Sequence, residues 1–339
     1  MNSNIDNEDI KKQIIAAMKA SDSWLILSHE SPDGDTLGCA MALFSLGRRM
    51  GKQVFIHGKS EMPQRYLFVP HASAYEPKAA LSDEDANSLI ICVDTSTAER
   101  SVPGIKELTE AGALTVNIDH HGDNTCYCAL NLINPAASAT AEIVEDLIYS
   151  AGWGVTKEES AALYVALSTD NGNFRFASTT PQSHICASRL LEAGAEPALL
   201  DDLINENLTV PVLKLWGSAF LRTEILCGGE AALFWLLKND YSSACADYSA
   251  TDGLVNMLMR IRGVKIAVFI SENSDTNKIS VRTREPYNAR EFVSVFGGGG
   301  HIQASGAKIA GDFSAALTLL KEELVKYAAH RRTTNKQTH

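Results

Sequence analysis

Short apolar runs that end on acidic or imidazole side chains constrain this chain more than any other feature. Leu25 to Leu27 lead into Ser28 and His29, Leu89 to Val93 into Asp94, and Leu114 to Ile118 into Asp119, His120 and His121. Together with Val54 to Ile56 these runs read as buried strands, and between them lie segments of helical periodicity such as Leu37 to Met50. Apolar strands separated by helices build a parallel α/β sheet. Ligands of such sheets bind beyond the carboxyl ends of the strands, which is where the acids and imidazoles fall.

The first run continues through Glu30, Ser31, Pro32, Asp33, Gly34 and Asp35 before a helix begins. Pro32 and Gly34 force a tight loop, so His29, Asp33 and Asp35 can point into one pocket. Taken alone, Asp35 reads equally well as a helix N-cap and Asp33 as a turn former. Repetition decides, because three neighbouring strands bring acid or imidazole to the same sheet edge. Asp170, at the end of the apolar helix around Ala161 to Leu167 and before Asn171, Gly172 and Asn173, adds a fourth contribution. Carboxylates this crowded repel one another, and divalent cations are the natural compensation.

From Ala137 to about Trp216 the pattern is almost wholly helical, with Pro181, Pro197 and Pro211 where helices can begin. Beyond it, Ala231 to Leu237, Lys265 to Ile270 and Lys278 to Arg282 read as strands, followed by a glycine run and a last helix from Phe313 to about Ala329. The expected organisation is an α/β catalytic, metal-binding domain over 1–190, a helical linker over 191–216, a smaller α+β substrate-binding domain over 217–330, and an unstructured tail over 331–339. With 339 residues, two domains are also the first expectation from length.

Charge is unevenly spread. Residues 1–190 hold 14 Lys+Arg against 24 Asp+Glu, whereas residues 260–336 hold 13 against 7. The second region therefore suits an anionic ligand, and metal cations offset part of the first. A net charge of −11 disfavours long double-stranded nucleic acid, whose binding needs a track of Lys and Arg. No apolar stretch approaches the roughly 20 residues of a membrane span, and the first residues are polar and acidic, so a cytoplasmic location is expected. The seven Cys are scattered without a C-x-x-C pair, and Cys39, Cys92 and Cys186 read as small core residues.

Gly297 to Gly300 precede His301, and the strand before them delivers Arg282 and Arg284. Consecutive glycines let backbone N–H groups approach a phosphate, although such a run is more often a plain flexible loop. The guanidinium of Arg282 matches phosphate geometry, while Arg284 also reads as a solvated partner of Glu285. Phe174 and Phe176 fit core packing better than stacking on a base.

The order His29-x-x-x-Asp33-x-Asp35, Asp94, Asp119-His120-His121 and Asp170 resembles the motifs of the DHH phosphoesterase family. Gly297 to His301 followed by Ala304-Ser305-Gly306 resembles the signature of the DHH-associated domain. The resemblance spans nearly the whole chain. Its layout is most similar to nanoRNases that also dephosphorylate 3′-phosphoadenosine 5′-phosphate (pAp).

The resemblance implies two divalent cations, and mixed His and Asp ligation suits Mn²⁺ better than Mg²⁺, with Co²⁺ or Fe²⁺ also fitting. One cation is held by His29 and Asp33, the other by Asp35, His120 and Asp170, with Asp94 bridging. His121 then faces the scissile phosphate as a catalytic residue, and Asp119 orients a neighbouring imidazole, a role that competes with simple capping of the strand end. Gly298, Gly299, Gly300, His301 and Arg282 are the implied substrate-binding residues of the second domain. Two cations about 3.5 to 4 Å apart activate water for direct attack on phosphorus, so no protein nucleophile is needed. The implied substrates are short oligoribonucleotides and pAp, and a homodimer is compatible with the sequence. Alternatives are a cyclic or linear dinucleotide phosphodiesterase and a nucleotide sensor that does not cleave. Asn171 departs from the family pattern, which commonly has Thr there.

Overall fold

The computed structural model describes residues 7–335 apart from 206, 207, 252, 274, 275 and 301, with side chains described as far as 331. The chain divides into two compact units, Met1–Asn207 and Leu208–His339. The division falls inside the stretch 191–216 read as a linker, because its two helices have different attachments. Leu200 is buried in the core of the first unit, whereas Leu215 and Ala219 are buried in the second.

In the first unit, β1 (Ser23–Leu27), β2 (Gln53–Gly58), β3 (Tyr75–Pro77), β4 (Leu89–Val93), β5 (Thr115–Asp119) and β6 (Leu130–Ile133) form one parallel sheet in the order β3-β2-β1-β4-β5-β6. The four strands read from sequence are its centre. The edge strands β3 and β6 are three and four residues long and only partly buried, so neither carries an unbroken apolar run. The chain steps outward from β1 in one direction and from β4 in the other. The crevice between their carboxyl ends is therefore the topological switch point, and His29 and Asp94 are the residues that leave those ends.

The helices of this unit are α1 (Asn7–Ala20), α2 (Gly34–Arg49), α3 (Ile105–Glu110), α4 (Thr140–Ser150), α5 (Lys157–Asp170), α6 (Pro181–Glu192) and α7 (Pro197–Asn205). Trp24, Ile26, Ile91 and Val116 pack with buried side chains of α2, α4 and α5, while Leu25, Leu27, Ile90 and Cys92 pack with Ile105 and Leu108 of α3. Cys39, Cys92 and Cys186 are buried, as their apolar settings suggested.

Close approach of α2 to α5 depends on two glycines. A Cβ on Gly34 would lie 2.2 Å from Thr169 Oγ1, and one on Gly38 would lie 2.3 Å from the Ala162 carbonyl. These pairings run in opposite directions along the two helices. The start of α2, with Asp33 and Asp35, therefore meets the end of α5, with Asp170.

The second unit holds α8 (Val210–Leu221), β7 (Glu224–Leu226), β8 (Ala231–Leu236), α9 (Lys238–Ala244), α10 (Leu254–Leu258), β9 (Ile266–Ser271), β10 (Thr276–Thr283), α11 (Ala289–Ser294), β11 (Gly299–Gly300), β12 (Ala304–Ala310) and α12 (Phe313–Asn335). Its sheet runs β11-β12-β10-β9-β8-β7, antiparallel except for β8 with β9. Helix α12 continues past Ala329 to Asn335, into the stretch expected to be an unstructured tail. Residues 336–339 lie outside the described residues. No helix among the described residues is long and apolar enough to cross a membrane.

Candidate metal centre

Asp33 is the N-cap of α2. Its Oδ1 accepts the Asp35 and Thr36 N–H groups at 3.1 Å each, which satisfies donors that a helix start leaves free. Its other oxygen, Oδ2, lies 3.8 Å from His29 Nε2. Asp35, two residues further in, is buried and accepts the Thr140 and Ala141 N–H groups at 2.6 and 3.1 Å, so it caps α4 as well as facing the site. The alternative reading of Asp35 as an N-cap is thus half right: it caps a helix other than its own.

Asp94 sits in the left-handed region at φ 54°, which Asp tolerates better than most residues. Thr36 Oγ1 donates to its Oδ2 at 2.6 Å and Thr140 Oγ1 to its Oδ1 at 3.1 Å. Its two oxygens also face different imidazoles: Oδ2 lies 3.7 Å from His29 Nε2 and Oδ1 lies 3.6 Å from His120 Nε2. His120 Nε2 further lies 3.4 Å from Asp170 Oδ2 and 4.0 Å from Asp35 Oδ2. The ring's other nitrogen, Nδ1, is 3.2 Å from the Ala137 carbonyl, which places the proton there and leaves the Nε2 lone pair toward the acids. His29 differs, because the Ser31 N–H lies 3.2 Å from Nδ1. Presenting a lone pair from Nε2 requires the opposite tautomer and loosens that hydrogen bond.

Three sets of side chains offer ligand atoms within 4.8 Å of one another: His29, Asp33 and Asp94; Asp35, His120 and Asp170; and Asp94, His120 and His121. The electrostatics agree with a site built for cations. Burial, then the neighbouring Asp94, Asp170 and Asp33, push Asp35 well above the usual carboxylate range. Burial and Asp33 push Asp94 up to about 6, and burial raises Asp170. Burial also acts on Asp33, but its interactions with His29 outweigh it and hold Asp33 low. This mixed imidazole and carboxylate set fits divalent cations.

His121 is held differently. Its Nδ1 lies 2.7 Å from Asp119 Oδ1, and that hydrogen bond raises the ring to about 9 against the opposing effect of burial. Asp119 accepts the His120 and His121 N–H groups on the same oxygen at 2.8 and 3.2 Å, and Asn124 Nδ2 on the other at 2.5 Å. Thr36, Thr140 and Asn124, which hold these carboxylates, do not stand out in the sequence. A Thr within the first turn of each of two helices is the signal that could have found the first two.

In the second unit Arg282 on β10 stands opposite Ala304 on β12, and burial lowers its guanidinium below the usual range. A cavity of about 680 Å³ is lined by Arg282, Gly297, Gly298, Gly299 and Gly300, and also by Lys278 and Lys308, which nothing in the sequence singles out. The glycine run is part strand: Gly299 pairs with Gly306 and Gly300 with Ser305. A Cβ on Gly298 would lie 2.4 Å from the Gly306 carbonyl, so packing alone demands glycine there, whereas Gly299 faces open space. His301 lies outside the described residues.

The family model described as DHH family, N-terminal domain, matches residues 23–168, and that of the DHHA1 domain matches residues 241–326. A Thermus thermophilus protein named bifunctional oligoribonuclease and PAP phosphatase NrnA is 28% identical over 306 residues, which cover 89% of this chain and 90% of that one. An uncharacterized protein of Mycoplasma pneumoniae, the MG371 homolog, is 31% identical over 85% of this chain and 86% of its own. The crystal structure of an exopolyphosphatase-related protein from Bacteroides fragilis superposes with a TM-score of 0.86 at 22% identity, covering 98% of this chain and all of that one. This last likeness concerns the fold.

Proposed function

Because the chain belongs to the DHH family, and is therefore a hydrolase, we propose that it hydrolyses short oligoribonucleotides to mononucleotides and removes a phosphate from pAp. The observation that carries this reading is Asp94, whose two oxygens face His29 and His120 at 3.7 and 3.6 Å at the sheet's switch point. That geometry supports a carboxylate shared between two cations, one with His29 and Asp33 and the other with Asp35, His120 and Asp170. Divalent cations bound there, Mn²⁺ in preference to Mg²⁺ given the imidazoles, would neutralise the carboxylates, stabilise charge on phosphoryl oxygens and lower the pKa of an attacking water.

The chain's own residues supply the rest. Thr36 and Thr140 fix the rotamer of Asp94 from two sides, and the N-terminus of α4 holds Asp35 in place. Asp119 accepts the hydrogen bond of His121 Nδ1 and raises its ring, which favours the charged donor form toward a phosphoryl oxygen or the leaving oxygen. Arg282 holds a second, non-reacting phosphate together with the Gly299 and Gly300 backbone and His301, whereas the Gly298 N–H is already donated to the Val293 carbonyl at 3.0 Å.

The test is substrate choice with Mn²⁺ present. Turnover of pAp and of RNA two to five nucleotides long, falling as the RNA lengthens, is expected. Equal or faster cleavage of long single strands, or cleavage confined to a cyclic dinucleotide, contradicts the proposal.

A further inference from the structure

Lys278 on β10 and Lys308 on β12 are direct partners in the antiparallel register, and both are exposed. Like charges directly opposite one another destabilise a sheet. Neither ammonium has a hydrogen bond or ion pair among the described residues, so none of these offsets the repulsion. Both lysines line the same cavity as Arg282 and Gly297 to Gly300. Alternation along β10 explains this, since residues 278, 280 and 282 share one face.

We propose that the Lys278–Lys308 pair is a second phosphate-binding subsite, which takes a backbone phosphate of a single-stranded oligoribonucleotide beyond the phosphate held at Arg282. The inference rests on the proposed function for the identity of the ligand, and it adds a residue pair and a length dependence to it. Lys278 and Arg282 are four positions apart on the strand, about 13 Å at roughly 3.3 Å per residue. A ligand must therefore extend well past the Arg282 phosphate to reach the lysines. Two facing ammonium groups suit a phosphate shared between them, because each provides three rotatable donors and a point charge. A lysine protecting a sheet edge from pairing is the bland explanation for Lys308, but it leaves the opposed Lys278 and their common cavity unexplained.

The experiment measures equilibrium binding of a 5′-labelled pentaribonucleotide to the full chain in excess chelator, so that no hydrolysis is needed. Lys308→Glu converts the opposed pair into an attractive one. The subsite reading expects its Kd to rise about tenfold or more while the unfolding temperature holds or rises. The slope of log K against log salt should become shallower by about 0.7 for each phosphate that the variant no longer neutralises. Lys278→Ser should weaken binding in the same direction. Unchanged affinity in both variants, a drop in affinity that merely tracks a drop in stability, or no measurable binding by the unaltered chain overturns the inference. Tight, lysine-dependent binding without turnover when Mn²⁺ is restored would instead count against the proposed function and leave the subsite standing.

Discussion

Replacing Gly38 by Ala asks whether the close packing of α2 on α5 is what assembles the centre. Within a helix, Gly to Ala ordinarily stabilises by about 1 kcal/mol. Here the new Cβ would sit 2.3 Å from the Ala162 carbonyl oxygen and 2.8 Å from Ala166 Cβ, against an ordinary contact of 3.4 Å or more, so the helices must separate by about 1 Å. The obstructing atom is backbone and cannot rotate away. Overpacking of this kind costs about 1–3 kcal/mol, enough to cancel or reverse the propensity gain.

The larger effect falls on function, because α5 carries Asp170 and α2 carries Asp35. A misplacement of about 1 Å can cost about a hundredfold in rate. Gly217→Ala on α8, where a Cβ meets nothing within 4 Å, is the control and should be stabilised by the ordinary amount. Urea unfolding, with kcat on pAp measured for both variants, is the assay. A Gly38→Ala chain as stabilised as Gly217→Ala and with undiminished kcat would refute the reasoning.

Arg282→Ala should lower kcat/KM on pAp roughly ten- to a hundredfold, matching the roughly 1.5–3 kcal/mol expected for a charge-assisted hydrogen bond, while metal content by elemental analysis stays unchanged. Bis-p-nitrophenyl phosphate offers no second phosphate, so an equal loss on that ester would show that Arg282 supports the fold or the centre instead. Glu145, buried on α4 with Arg189 Nη1 at 3.4 Å, is pushed by burial from its usual 4.5 to about 7. Its folded form holds a proton that the unfolded form has lost, so its contribution to stability is fully present below about pH 4.5 and lost as the pH rises through about 7. Glu145→Gln should therefore flatten the fall in unfolding temperature between pH 5 and pH 8, and an identical slope in both proteins would contradict the assignment.

The strand ends that carry the candidate ligands were legible because β1, β4 and β5 are buried on both faces and their apolar runs stop where the acids and imidazoles begin. Asp170 was legible from the end of its helix. Roles that depend on three-dimensional neighbours were not. Asp35 caps α4 across 105 residues of sequence, and Gly34 and Gly38 matter only because α5 lies against them. The short edges β3 and β6 lack the burial that marks a strand, and β11 hides in a glycine run whose pairing with Gly306 and Ser305 is non-local. Lys278 and Lys308 look like ordinary surface lysines until the register sets them face to face.

The central claim is that hydrolysis depends on cations held around Asp94, and a metal titration of the stripped chain tests it most directly. Mn²⁺ binding is followed by calorimetry while pAp turnover is measured on the same samples, for the unaltered chain and for Asp94→Ala. The account predicts no turnover in chelator, recovery as two ions bind per chain, and loss of both tight binding and turnover in Asp94→Ala. Full activity in excess chelator, or an Asp94→Ala chain that binds two ions and turns over pAp normally, would contradict it.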